Sequence, residues 1–192
     1  MDRKSPDTAP STPLDARMVR TRAALRDAML VLLEEKPLDQ ITIRDITARS
    51  NTGYATFFRH HETKAALLDD LVADQIRDLM RLTLPVIRET DTRAAARALC
   101  VYVDERRKLW TALLTGGAAG SIREEFIRQA RQVPPLPSNP DSWLPTDLRV
   151  IYGVSATVEI LAWWLQQRQD FSVDRVAEIL DRLVIAPTLT GD

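Results

Sequence analysis

Residues 42 to 67, TIRDITARSNTGYATFFRHHETKAAL, constrain the fold more than any other stretch, because they spell two short helices around a tight turn with a third following at once. Thr42 opens the first, its hydroxyl placed to cap orphan backbone N–H groups while Asp45, three residues on, reaches back in a capping box. Ile43 and Ile46 form its buried face. Ser50, Asn51, Thr52 and Gly53 make the turn; Asn51 and Gly53 are residue types that tolerate positive φ, and Thr52 is the expected cap of the next helix. The second helix is predicted over about Tyr54 to His60. Under two turns long, it has little stability of its own and must be held by its neighbours. A helix-turn-helix has this arrangement: the second helix enters the major groove of DNA and the first braces it against the backbone.

Composition narrows the setting. The chain has 192 residues, 45% of them hydrophobic, enough for one good core or two small domains. No apolar run stands out as a membrane span, and residues 1–16, rich in Pro, Ser, Thr and Asp, lack the apolar core of a secretion signal. They read as a flexible tail on a cytoplasmic protein. The single cysteine, Cys100, excludes an intrachain disulfide framework and a thiolate-built metal site. Net charge is −1, which argues against indiscriminate nucleic-acid binding. Between Arg17 and Lys64, however, nine basic residues meet six acidic ones, a local excess of +3. That excess is either a solvated face or the flank of a phosphate backbone.

The stretch from residue 42 to 67 resembles the N-terminal domain of the TetR/AcrR family of bacterial repressors, with the usual pattern T-v-x-x-I-A-x-x-A-G-V-S-x-x-T-F-Y-x-H-F-x-x-K-x-x-L. Thr42, Ile43, Ile46, Thr56, Phe57, His60, Lys64 and Leu67 match it at fixed spacing. Thr21, Arg22, Leu25, Ala28, Met29, Leu32, Leu33 and Lys36 are similar to the family's first helix, so the resemblance covers about residues 20 to 70. Among the departures, Asn51 stands for the usual Gly, Thr52 for Val or Ile, Gly53 for Ser, Phe58 for Tyr and His61 for Phe. Phe58 lacks a hydroxyl that, by resemblance, would bond a DNA phosphate, a loss on the order of 1 kcal/mol.

Beyond residue 68 the substantial segments have helical period, so the chain is expected to be all-α, with a domain of about residues 17–66 for DNA and a helical domain of 67–192 for effector and dimerisation. A helix from Lys64 towards Leu84 is expected to kink or stop at Pro85. Another runs from about Thr92 to Leu109, a short piece from Leu109 to Leu114, and a glycine-rich break, residues 116–120, precedes a helix capped by Ser121. Five prolines between positions 134 and 145 predict a loop. From Asp147 to about Gln167, Leu148, Ile151, Ser155, Val158, Ala162 and Leu165 form one apolar stripe, and Val150, Val154, Thr157, Leu161 and Trp164 a second. With a last helix, Asp174 to Ile185, joined by a short turn at residues 170–172, this predicts an antiparallel pair. The first stripe, with Val176, Leu180 and Leu183, is then either the interface of a homodimer or a hairpin buried within one monomer.

No catalytic constellation is present, so an enzyme is not expected, and no cofactor is implied. His60 and His61 are the only histidines and, adjacent on a helix, point about 100° apart. No phosphate loop, dinucleotide fingerprint or nucleophile elbow occurs. The resemblance implies partners instead: a double-stranded DNA operator, a second copy of the chain, and a small-molecule effector held in the helical body, with no membrane. Tyr54, Ala55 and Arg59 are expected at base edges, Thr42, Arg44, Thr56, His60 and Lys64 at phosphates or setting register, and Thr52, Gly53 and Phe58 complete the expected DNA-binding set. Cys100, Tyr102, Trp110, Phe126, Trp143 and Tyr152 are either effector-lining or ordinary core. The implied function is that of a dimeric repressor released from a palindromic operator by its effector. The rival is a helical ligand-binding or protein-interaction dimer with weakened DNA binding.

Overall fold

A computed structural model describes residues 13–88, 91–115, 119–133, 143–167 and 171–190. The expected break at residues 116–118, the proline loop at 134–142 and the turn residue at 170 lie outside them. The described residues are helical throughout and contain no strand, as the periodicity predicts.

The first helix, α1, runs Pro13–Glu35. It starts within the segment expected to be a flexible tail, with proline in the first turn, where its missing N–H costs nothing. A single 3₁₀ turn, Leu38–Gln40, leads into α2 (Ile43–Arg49) and α3 (Tyr54–His60). Then α4 (Lys64–Arg88) carries the chain from this head into the body. Pro85 lies inside α4 rather than stopping it. It falls within the last turn, where the helix has little left to lose.

The body comprises α5 (Thr92–Glu105), α6 (Arg107–Thr115), α7 (Ala119–Ala130) and α8 (Thr146–Gln166). A helix expected to reach Leu109 instead ends at Arg106, whose φ of −120° and ψ of 35° break the ladder so that α6 can turn away. α7 begins before Ser121, so Ser121 sits in the first turn and is not the cap. After Ser172, which caps it by accepting from the Arg175 N–H, α9 (Val173–Leu180) passes through a π-helical turn at Asp181–Ile185 into α10 (Ala186–Thr190). The chain therefore stays helical beyond the expected end at Ile185.

One core runs from head to body. Leu25, Met29, Ile46 and Phe57 join it from α1, α2 and α3; Leu67, Leu71, Ile76 and Leu79 continue it along α4; Leu113, Ile122, Val158 and Trp164 complete it. α9 packs most extensively along α5, helped by the Arg97–Asp174 ion pair at 2.8 Å, whereas α8 packs mainly on α6 and α7, so α8 and α9 are less a hairpin than two helices with different main neighbours. This overturns part of the expected dimer face. Val158, Leu165, Val176 and Leu180 are buried within the single chain, because α8 packs on α6 and α7 and α9 spends its apolar face on α5. Leu148 and Leu183 remain exposed, and Ile151, Ser155 and Ala162 half-buried.

The absence of an apolar run is also corrected: α8 is long and apolar enough to cross a membrane by length and composition, with mean hydropathy 1.3. Its residues Val154, Thr157, Val158, Leu161, Trp164 and Leu165 are instead buried in the body. Arg107 staples its end by donating from Nη2 to the carbonyls of Trp164 and Gln167, at 3.1 and 3.3 Å.

Candidate nucleic-acid interface and helical cavity

The head is fixed by local polar bonds. Thr42 Oγ1 accepts from the Asp45 N–H at 3.2 Å, while Asp45 Oδ2 accepts from the Thr42 N–H at 2.9 Å and from its hydroxyl at 2.7 Å, which completes the capping box. Lys36 adds its ammonium to the same carboxylate at 2.8 Å. That bond, with the Thr42 bonds, holds the Asp45 carboxyl far below the usual carboxylate range. Asn51 takes φ 51°, the left-handed corner that turns α2 into α3. Gly53 does not share that conformation: its φ is −73° and it serves as the N-cap of α3 without a side-chain bond. Thr52 likewise does not cap α3, its hydroxyl lying 2.8 Å from Ser50 Oγ.

α3 is anchored through Phe57, which is 0% exposed. Turned away from it are Tyr54 and Phe58, 57% and 44% exposed and packed edge to face at 5.2 Å, with Ala55 and Arg59 also exposed. Arg59 Nη2 donates to Thr56 Oγ1 at 3.0 Å, which orients the guanidinium along the helix. The starts of α1 and α3 share a concave surface of about 540 Å³, lined by Arg17, Thr21, Asn51, Thr56, Arg59 and His60 among others, with no acidic residue among the described residues that line it. Arg44 is exposed on α2. Two of the expected phosphate contacts are otherwise engaged. Lys64 donates to the carbonyls of Leu38 and Ile41, both at 2.8 Å, and the Thr42 hydroxyl belongs to the capping box.

Behind α3, His61 is buried, and its Nε2 has no hydrogen-bond partner, lying 3.9 Å from Asp70 Oδ2. Burial lowers its pKa from the ordinary value, against the attraction of Asp70. Arg22 and Arg26 of α1 clamp that same Asp70, and Arg26 also reaches Asp74 at 2.5 Å. Burial on its own would raise the Asp70 carboxyl; the Arg22 bond and the neighbouring charges outweigh it and hold it low.

In the body, an apolar cavity of about 200 Å³ lies between α4, α5, α7, α8 and the C-terminal helical run. Of the six residues expected to line an effector site, Phe126 lines this cavity and the other five lie elsewhere. Cys100 is buried in the core, its thiol pushed up to about 12 by burial and by Asp104. Tyr102 donates to Gln75 Oε1 at 3.2 Å and stands edge-on to Trp110 at 6.3 Å. Trp143 is 74% exposed, and Tyr152 lies on the outer face of α8, its hydroxyl donating to the Leu183 carbonyl at 3.4 Å. Aromatic content misled the expectation. The cavity wall is mostly aliphatic, and its signal in the sequence is the recurrence of threonines, Thr83, Thr157 and Thr188, on otherwise apolar helix faces.

A capped helix, a left-handed corner and an outward second helix make a helix-turn-helix head on a helical body. Residues 25–71 of this head match the family model for bacterial regulatory proteins of the tetR family. It is 37% identical over 93 residues to the uncharacterised HTH-type transcriptional regulator YxbF of Bacillus subtilis, a match covering 47% of this chain and 24% of that protein. The chain thus spans about a quarter of that relative's length. The whole fold is similar to a TetR transcriptional regulator from Streptococcus agalactiae, with a TM-score of 0.63, 23% identity, and coverage of 90% of this chain and 97% of that one. It is also similar to RolR in complex with resorcinol, with a TM-score of 0.53 at 16% identity, covering 90% and 93% of the two chains.

Proposed function

We propose that the protein is a cytoplasmic, dimeric transcriptional regulator, a repressor that binds a palindromic operator and is released by a small-molecule effector, and not an enzyme. The observation that carries this reading is the outward face of α3, where Tyr54, Ala55, Phe58 and Arg59 are exposed while Phe57 anchors the helix. Tyr54, Ala55 and Arg59 face base edges, and Arg59, steadied by Thr56, reads a guanine in bidentate fashion. Arg17, Arg44, Thr56 and His60 meet phosphates. Phe58 presents its ring where the family has a phosphate-bonding phenol, a change suited to a thymine methyl.

The exposed row Leu148, Tyr152 and Trp163 on α8, with Leu183 beyond it, is the surface for the second copy. Two heads related by a twofold axis require a palindrome. Effector release is supported by the cavity between the body helices, and by a similar fold having been solved with resorcinol bound.

Selection of binding sequences from a random DNA pool, repeated at several salt concentrations, tests the reading. Enrichment of a palindrome, with affinity falling steeply with salt, is the expected result. A folded dimer that enriches nothing moves the function to the rival, a ligand-binding or protein-interaction dimer.

A further inference from the structure

The cavity wall specifies more than a site. Among the described residues its lining holds no aspartate, glutamate, lysine or histidine, so none of them offers a countercharge to a cationic ligand. The one charged residue among them, Arg149, already donates from Nη2 to the Leu144 carbonyl at 3.3 Å and has a further partner, so its charge is engaged within the chain. What remains for recognition is hydroxyl chemistry. Thr83 donates to the Leu79 carbonyl at 3.0 Å, and Thr188 to the Val184 carbonyl at 2.6 Å. Both hydroxyls have spent their hydrogen on the preceding turn and can face the cavity only as acceptors. Thr157 is buried on the same lining and has no hydrogen-bond partner among the described residues.

The space is small. An apolar cavity of about 150 Å³ accommodates benzene. About 200 Å³ therefore accommodates one ring with a short substituent. Gly153 contributes to that space. A Cβ added there would meet Thr188 only at ordinary contact distance, 3.8 Å, so packing does not demand a glycine although glycine weakens a helix interior. The volume it leaves open belongs to the cavity.

We propose that the cavity takes an uncharged, single-ring molecule bearing one hydroxyl, a simple phenol, whose O–H is received by a threonine oxygen while the aliphatic wall takes the ring. This rests on the effector reading above and names the ligand class. A buried hydroxyl left without its partner is penalised, so the wall discriminates for a donor and against a plain hydrocarbon.

Calorimetric titration of the full chain, without DNA, with 4-ethylphenol, ethylbenzene and 4-ethylbenzoate tests it. The phenol should bind roughly fivefold to tenfold tighter than ethylbenzene, and the benzoate more weakly than either. Thr83→Val, Thr157→Val and Thr188→Val together should erase the preference for phenol while keeping ethylbenzene binding. Gly153→Ala, which fits without a clash and favours the helix, should weaken both neutral probes. Equal affinity for phenol and ethylbenzene overturns the proposal, as does tightest binding of the benzoate or binding of none by a chain with intact helical circular dichroism. Operator release is measured separately: a phenol that binds but leaves protein and operator together sinks the effector reading and spares the ligand class.

Discussion

The head and the body of this molecule are held together by different means. In the head, short helices are fixed by polar bonds at their ends: the Thr42–Asp45 box, Lys36 on Asp45, Lys64 on two carbonyls, and Arg49 on Glu35 at 2.7 Å. In the body, long helices are fixed by apolar faces, with occasional polar staples such as Arg107 on the end of α8 and Trp164 Nε1 donating to the Phe171 carbonyl at 3.1 Å. Polar end bonds fix the angle between helices. Aliphatic faces leave a space between them. Under the proposed function, a surface that matches DNA gains from the first, and a wall that encloses a ligand gains from the second.

The contrast is broken most severely at Phe57, the one buried residue of α3. Phe57→Ala should cost about 3–5 kcal/mol and abolish sequence-specific DNA binding, because no cap can replace the lost core contact. Phe58→Ala, one position on and exposed, should cost well under that. Chemical denaturation followed by circular dichroism, with operator titration, measures both. If Phe57→Ala melts the head alone while most helical signal survives, head and body are separate cooperative units; a single transition makes the continuous core the stronger fact.

Arg59→Ala should come next, with about 1–3 kcal/mol lost at a single base position and relaxed specificity there. Its stability should be unchanged, since among the described residues the guanidinium bonds only to Thr56 on its own helix. Equal weakening on operator and random DNA would make Arg59 a phosphate contact instead.

The same contrast explains what could be read from the sequence. Thr42, Asp45 and Asn51 act on neighbours within a few residues, so the capping box, the corner and the span of α3 were legible in the order of residues. Gly53 and Thr52 were not, because both are turn-forming types and only the conformation chosen by Asn51 decides which does what. The fate of Lys64 depended on carbonyls more than twenty residues away. In the body, the apolar stripes of α8 were visible, but α9 chose α5 as its main neighbour through packing that leaves no periodic trace. The cavity escaped for the same reason. Aromatic residues drew attention, whereas Thr83, Thr157 and Thr188 converge only once α4, α8 and the C-terminal run are packed.

A smaller effect sharpens the account of the head. Thr42→Ala removes the cap acceptor and should cost about 1 kcal/mol, seen as a lower thermal midpoint. Lys36 remains on Asp45 in that variant, so helix α2 should persist. A midpoint that does not move would mean that the lysine bond alone holds the entry to α2.

The smallest and most specific effect is a pH dependence centred on His61. Asp70 of α4, Arg22 and Arg26 of α1 and His60 of α3 surround its ring, and burial keeps it neutral below its ordinary titration range. An unfolded chain takes up that proton near pH ~6.5, whereas the folded chain resists it. The unfolded state therefore binds more protons, and stability falls as pH drops below about 6.5. Asp45 and Asp70 act in the same sense but over a lower range, since both are held low in the folded protein and their contributions persist until the unfolded carboxylates protonate, near pH ~4. The interval between those two values thus isolates the histidine among these three groups. His61→Phe, which fills the site without an orphaned nitrogen, should flatten the thermal midpoint across that interval and leave the acid limb in place. Parallel decline of the variant and the parent between pH 7.5 and pH 5 would show that another group carries the slope, and that the unpartnered nitrogen behind α3 is structurally silent.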